Sequence, residues 1–325
     1  MTDSPGFSQS QPSIVKQDLF ETQGAVQQLD KGFTGLVWLL ALASGLALFW
    51  ISFIVLRDAQ PAIQAYGLPF IWGTDWDVSA DIYGALPFIY GTLVTSFLAL
   101  LFAVPLGVAV AIITSEDFLP EAVRSPIAFL VEIIASIPSV IVGLWGIFVF
   151  VPFILPIQKW LYAYFSWLPM FSTDPFGFGL LTAGLVLTIM ILPTVAAISR
   201  DVMQSVPKDL RSASMSLGAT RWETIWRILL PAAGSGILGA SILALGRALG
   251  ETMAVTMVIG NSIQITPSLL DAGYSIPAVL ANQFPEAYTE LHVGALMYLS
   301  LLLFVITLIV NAIAVLLVYV VGKRA

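Results

Sequence analysis

The sequence predicts an all-α, polytopic membrane protein with six transmembrane helices, and three observations carry that prediction. Hydrophobic residues make up 58% of the 325 and charged residues only 10%, with a mean hydropathy of +0.93. Such a chain is too apolar to be a soluble domain around one core. Six apolar runs are each long enough to cross about 30 Å of hydrocarbon at roughly 1.5 Å per residue. The basic residues segregate to one face of the resulting topology, as short loops rich in Lys and Arg resist translocation.

Taken in order, residues 1–33 form a Gln- and Ser-rich tail. It has no apolar run near its start and no small-residue cleavage pattern, so it is not expected to be a signal peptide. Disorder is expected up to about Lys16, and an amphipathic helix lying on the membrane surface over 14–29. The transmembrane domain is expected over 34–322, with spans at 35–56, 88–113, 127–154, 178–199, 232–259 and 292–321. Before the second span, Trp72 and Trp76 are expected to anchor at the membrane interface, among Asp75, Asp77 and Asp81. Pro138, Gly143, Gly146 and Pro152 interrupt the third span, and Pro193 the fourth. Broken helices of this kind line a pathway when their freed backbone groups face protein or water; tight packing through small residues explains them equally well.

Of the 13 basic residues, ten fall on the face that holds both termini and the loops after spans two and four. They are Lys16, Lys31, Arg124, Arg200, Lys208, Arg211, Arg221, Arg227, Lys323 and Arg324. That face is therefore expected to be cytoplasmic. There is no cysteine and one histidine, His292. Thiolate chemistry is excluded and no metal site is expected.

Span five contains the pair Arg247 and Glu251 deep in an apolar run. Arg247 lies 16 residues beyond Pro231, roughly 24 Å along a helix, and a charge there costs on the order of 3 kcal/mol. Spaced four apart, the two are expected on one helical face, turned toward each other, a partner subunit or a water-filled cavity. A guanidinium is a planar fork of donors suited to an oxyanion, so Arg247 is the candidate substrate contact. Glu251 would orient it or exchange with substrate, with Thr252 beside it. The alternative is a permanent ion pair that fixes helix packing. Glu132 is a third expected buried acid, near the inner face, which would either pair with the coupling region or another subunit or act on substrate. Gly239, Gly246 and Gly250 allow another helix to approach closely.

The polar stretch 205–231 between spans four and five reads as a helix-turn-helix. Pro207 suits an early helical position and Gly218 a left-handed stop. Thr220 and Glu223 form a capping-box pattern for a second helix start, and Pro231 marks re-entry into the bilayer. The spacing from Gly218 through Ile228 to Leu230-Pro231 resembles the coupling loop of bacterial ABC importer permeases, with Ser212-Ala213-Ser214 standing where the family usually has glutamate-alanine-alanine. The resemblance assigns ATPase coupling to Arg211, Ser212, Ala213, Ser214, Gly218, Ala219, Thr220, Arg221 and Glu223.

The blocks 246–255, 83–91, 137–144 and 217–225 further resemble the PstC-type permease family of phosphate ABC importers. The likeness runs from about Gly67 to Lys323 and implies the type I importer permease fold. It also implies a heterodimer with a second permease subunit, two ATPase subunits holding ATP and Mg, and a periplasmic phosphate-binding protein that delivers inorganic phosphate. The family's buried arginine and glutamate fall on Arg247 and Glu251. No Gly-x-x-x-x-Gly-Lys-Ser/Thr loop occurs, so the chain is expected to be non-catalytic, with no cofactor of its own and no nucleic acid partner. A permease for sulfate or molybdate, or an ion-coupled secondary transporter, would be the alternatives.

Overall fold

The computed structural model describes residues 15–116 and 119–322, and divides into two units, Met1–Ile54 and Val55–Ala325. The tail through Ile14 and the basic residues Lys323 and Arg324 lie outside the described residues. Helix α1 runs from Val15–Tyr66, so the backbone expected as a separate surface helix over 14–29 continues into the first span; its side chains lie outside the described set. From Leu36 to Phe53 the apolar side chains of this helix stand exposed, as a lipid-facing span requires.

A hairpin of β1 (Trp76–Asp77) and β2 (Ile82–Tyr83) precedes α2 (Leu86–Ser115). There follow α3 (Glu121–Ser136), α4 (Ser139–Trp145), α5 (Val151–Phe165) and α6 (Leu180–Ser205). The 205–231 stretch gives α7 (Lys208–Ser216) and α8 (Arg221–Thr224), and then come α9 (Leu230–Gly250), α10 (Met253–Val258), α11 (Ile276–Gln283) and α12 (Glu290–Gly322). Six segments are long and apolar enough to cross a membrane, which makes this a multi-pass membrane protein.

Helices α2 and α6 form the centre. They meet through small residues: a Cβ on Gly184 would lie 2.7 Å from the Leu98 Cβ, and one on Gly107 2.8 Å from Val195. With little hydrophobic drive between helices in lipid, such backbone approach supplies the van der Waals contact that holds them. Gly91 is similarly pressed on the Tyr274 carbonyl, which leaves no room for a side chain.

Two prolines sit inside long spans by the same device. A π turn over Gly146–Phe150 precedes Pro152, and another over Ile225–Leu229 precedes Pro231. A proline lacks its N–H and its ring collides with the carbonyl four residues back. Widening the preceding turn moves that carbonyl aside. The helical path accordingly runs unbroken through Pro231, from Arg221 to Gly250.

Three further expectations change. Span three is not one run over 127–154: Ile137 takes an extended conformation (φ −70°, ψ 125°) ahead of Pro138, as residues before proline do, and the spanning segment is Ser139–Phe165. Glu132 consequently lies on the separate helix α3, exposed rather than buried. Span four is not interrupted, since Pro193 is buried within an unbroken α6. Trp76 is no interfacial anchor; it is buried, donates to Gln283 Oε1 at 2.9 Å and packs edge-on against Tyr83 and Phe88, whereas Trp72 is exposed. Burial, reinforced by the Asp81 carboxylate, pushes the Tyr83 phenol up to about 12, so it stays neutral in this cluster at physiological pH.

Candidate translocation site and coupling loop

Span five breaks where its charges lie. Helix α9 ends at Gly250, Glu251 turns to an extended conformation (φ −68°, ψ 123°), and the chain restarts at Met253. The expected 232–259 helix is therefore two helices, and the four-residue spacing of Arg247 and Glu251 no longer puts them on one face. Among the described residues no ion pair joins them. Glu251 Oε1 instead accepts from the Ala254 amide at 3.4 Å, and the Thr252 hydroxyl donates to the Gly250 carbonyl at 3.2 Å. Both side chains cap the break, satisfying backbone groups that a helix interruption would orphan.

Arg247 is left in the last turn of α9, where the helix C-terminus favours a cation. Its Nη1 donates to Thr194 Oγ1 on α6 at 3.3 Å. It lines two adjoining cavities of about 660 and 240 Å³: the first lies between α6, α9 and α12, the second against α3, α4 and α6. The larger is mostly apolar but holds Thr194 and Asn311, and the Asn311 Oδ1 is buried without a hydrogen-bond partner. A planar cation with one long neutral contact, set in an apolar cavity beside a broken helix, has donors available to an oxyanion. Thr194 and Asn311 were not singled out from sequence. The only signal was a lone amide in the apolar run of the last span.

Gly239 and Gly250 have open space where a side chain would be, and Gly246 meets only the Asn311 amide at 3.9 Å. Beyond the break, residues 258–271 fold back on the start of α6. The amides of Gly179, Leu180 and Leu181 donate to Val258, Asp271 and Leu269 carbonyls at 3.2, 3.0 and 2.8 Å, which satisfies a helix start that would otherwise be bare within the fold.

The 205–231 stretch folds as its sequence implies. Gly218 adopts φ +89°, and the Ala219 amide closes on the Ser214 carbonyl at 3.2 Å, a left-handed helix stop. Thr220 and Glu223 complete the capping box, with the Thr220 amide on Glu223 Oε2 at 2.9 Å and the Glu223 amide on Thr220 Oγ1 at 3.2 Å. Ser214 and Thr224 hydroxyls join the two helices at 2.9 Å. Ser212, Ala213 and Arg221 are exposed and Ala219 half-buried. Leu217, at the turn, is 90% exposed, and Trp222 and Trp226 stack edge to face.

Arg211 faces inward. It pairs with Glu116 at 3.1 Å and donates to the Met203 and Val206 carbonyls at 2.7 and 3.0 Å. It ties the loop to the ends of α2 and α6. Both partners are mostly covered, at 15% and 18% side-chain exposure. Arg211→Gln is expected to cost about 1–3 kcal/mol, read as a lower unfolding temperature of the purified chain. Adding Glu116→Gln should cost little more, because the interaction is already gone.

The six-span helical fold is shared with solved ABC importer structures. It aligns with the bacterial transporter involved in import of the acidic polysaccharide alginate at a TM-score of 0.56, with 19% identity, covering 85% of this chain and 95% of that one. The methionine ABC transporter MetNI in an inward-facing form gives 0.52, with 20% identity over 73% and 94% of the two chains. The chain belongs to the family of binding-protein-dependent transport system inner membrane components, whose family model matches residues 103–325. Its curated relatives include the phosphate transport system permease protein PstC of Pasteurella multocida, 46% identical over 81% of this chain and 83% of the relative. PstC of Mesorhizobium japonicum is 42% identical, over 81% and 82%. A probable PstC of Methanocaldococcus jannaschii is 38% identical, over 79% and 84%.

Proposed function

We propose that the chain is the transmembrane permease subunit of an ATP-driven importer of inorganic phosphate in a bacterial inner membrane. It would form the path with a second, similar permease subunit and receive phosphate from a periplasmic binding protein. Two ATPase subunits, holding ATP and Mg, would drive it. The observation that carries the proposal is Arg247: a fixed cation in an apolar cavity at a helix break, in a chain whose relatives are named phosphate permeases. The unfilled positions over Gly239 and Gly250 suit close approach of the second permease. The exposed Leu217, Met215 and Trp222 suit a groove on the ATPase.

In this scheme the loop and both termini face the cytoplasm, consistent with the ten basic residues there. ATP-driven closure of the ATPases pushes α7 and α8, Arg211 passes that movement to α2 and α6, and the cavity at Arg247 opens alternately to each side. Glu251 and Thr252 hold the break through which α10 can pivot on α9. The chain itself catalyses nothing.

The substrate class is tested by uptake of radiolabelled phosphate into vesicles carrying the full complex. Unlabelled phosphate is expected to compete fully, with sulfate and molybdate nearly inert at tenfold excess. Strong competition by sulfate or molybdate would reassign the substrate.

A further inference from the structure

A second group of cations gathers around the last turns of α6, beyond Thr194, and apart from the loop residues Arg211 and Arg221 its members have no part in the transport scheme. A cavity of about 600 Å³ opens between the end of α2, α3, the last turns of α6, α7 and α8. Its described lining includes five cationic side chains, Arg124, Arg200, Lys208, Arg211 and Arg221, and one carboxylate, Glu116, while Arg124 and Arg200 also border a neighbouring cavity that holds Glu121 and Glu132. Arg211 engages one oxygen of that carboxylate and also donates to two backbone carbonyls.

Arg200 carries the second observation. Its Nε is buried and has no hydrogen-bond partner, although buried donors are nearly always satisfied and leaving one bare costs free energy. Gln204 follows one turn later on the same face of α6 and also lines the cavity. Lys208, exposed at the start of α7, and Ser212, one turn further on, add donors from the loop side.

From this geometry we infer that the cavity between the coupling loop and the ends of α2 and α6 is a binding site for a phosphate group. Convergent donors from separate elements fit an anion with several acceptor oxygens, and a guanidinium fork matches such an anion in two contacts. The volume suits either free inorganic phosphate with its waters or the headgroup of an anionic phospholipid. Bound there, the anion bridges α7 to α6 and stiffens the loop against the spans it moves. Occupancy therefore sets how readily the loop follows its driver.

The test uses the full complex in nanodiscs, without ATP or binding protein, and carries Arg247→Gln throughout so that the translocation site does not contribute. In the first arm, equilibrium binding of radiolabelled inorganic phosphate is measured in phosphatidylcholine. In the second, phosphatidylglycerol retained by the complex is counted by native mass spectrometry in phosphate-free buffer. Each arm compares Arg200 and Lys208 intact with Arg200→Gln and with Lys208→Gln. The latter alters an exposed side chain and keeps the test valid should Arg200→Gln fail to assemble.

Each substitution is expected to weaken binding on the order of tenfold. Loss in the first arm identifies free phosphate as the ligand, and loss in the second the lipid headgroup. Binding in neither arm, or binding that both substitutions leave unchanged, overturns the inference. Because the readout is binding, it is separable from any failure of the transport scheme.

Discussion

Replacing Arg247 with Gln is expected to abolish ATP-dependent phosphate uptake while the complex still assembles. The side chain lies in a cavity, and its one hydrogen bond among the described residues, to Thr194 at 3.3 Å, is long. Little packing depends on it. Losing a charge-assisted bidentate contact to an oxyanion is expected to lower the uptake rate by roughly 10²-fold or more. Arg247→Lys should restore little, since a point charge cannot reproduce the planar fork. The measurement is initial uptake of radiolabelled phosphate, with assembly followed by size-exclusion chromatography. Near-normal uptake by Arg247→Gln, with assembly intact, would make this arginine a structural residue.

The second large effect is expected at Gly218. Its φ of +89° lies in the left-handed region, and a side chain there would meet nothing within 4 Å. Crowding therefore plays no part, and substitution acts through the backbone alone. Proline, locked near −65°, cannot take this conformation, so Gly218→Pro must unmake the turn that sets α7 against α8. Asparagine tolerates the left-handed region. Gly218→Asn is therefore expected to retain the ATPase in an affinity pull-down from membranes, and Gly218→Pro to lose it. If both variants retain the ATPase equally, the turn is not the docking element.

The loop was legible because its signals are local. The proline start, the left-handed glycine and the Thr220–Glu223 box each act within four residues. Their geometry follows from backbone valence rather than from distant packing. Four of the six spans likewise follow from apolar length, and the π turns before Pro152 and Pro231 are local answers to a missing N–H.

What sequence did not reveal is tertiary. The break at Glu251 and Thr252 depends on the returning 258–271 segment, which binds α10 to the start of α6. Without that segment in view, the 232–259 run reads as one helix and Arg247 and Glu251 read as neighbours. Arg211 and Glu116 are 95 residues apart in sequence, so no spacing rule exposes their pair, and Arg211 reads as a surface contact rather than a brace. Glu132 was misplaced because hydropathy runs smoothly through Pro138, while the proline ends the helix all the same.

This chain is expected to move phosphate only when a partner ATPase drives it. The most direct measurement is phosphate uptake into vesicles carrying the wild-type complex, with and without ATP, at fixed membrane potential and pH. Uptake that requires ATP, with no accumulation in its absence, is the result predicted here. Equal accumulation without ATP would contradict it and make the chain an ion-coupled secondary transporter.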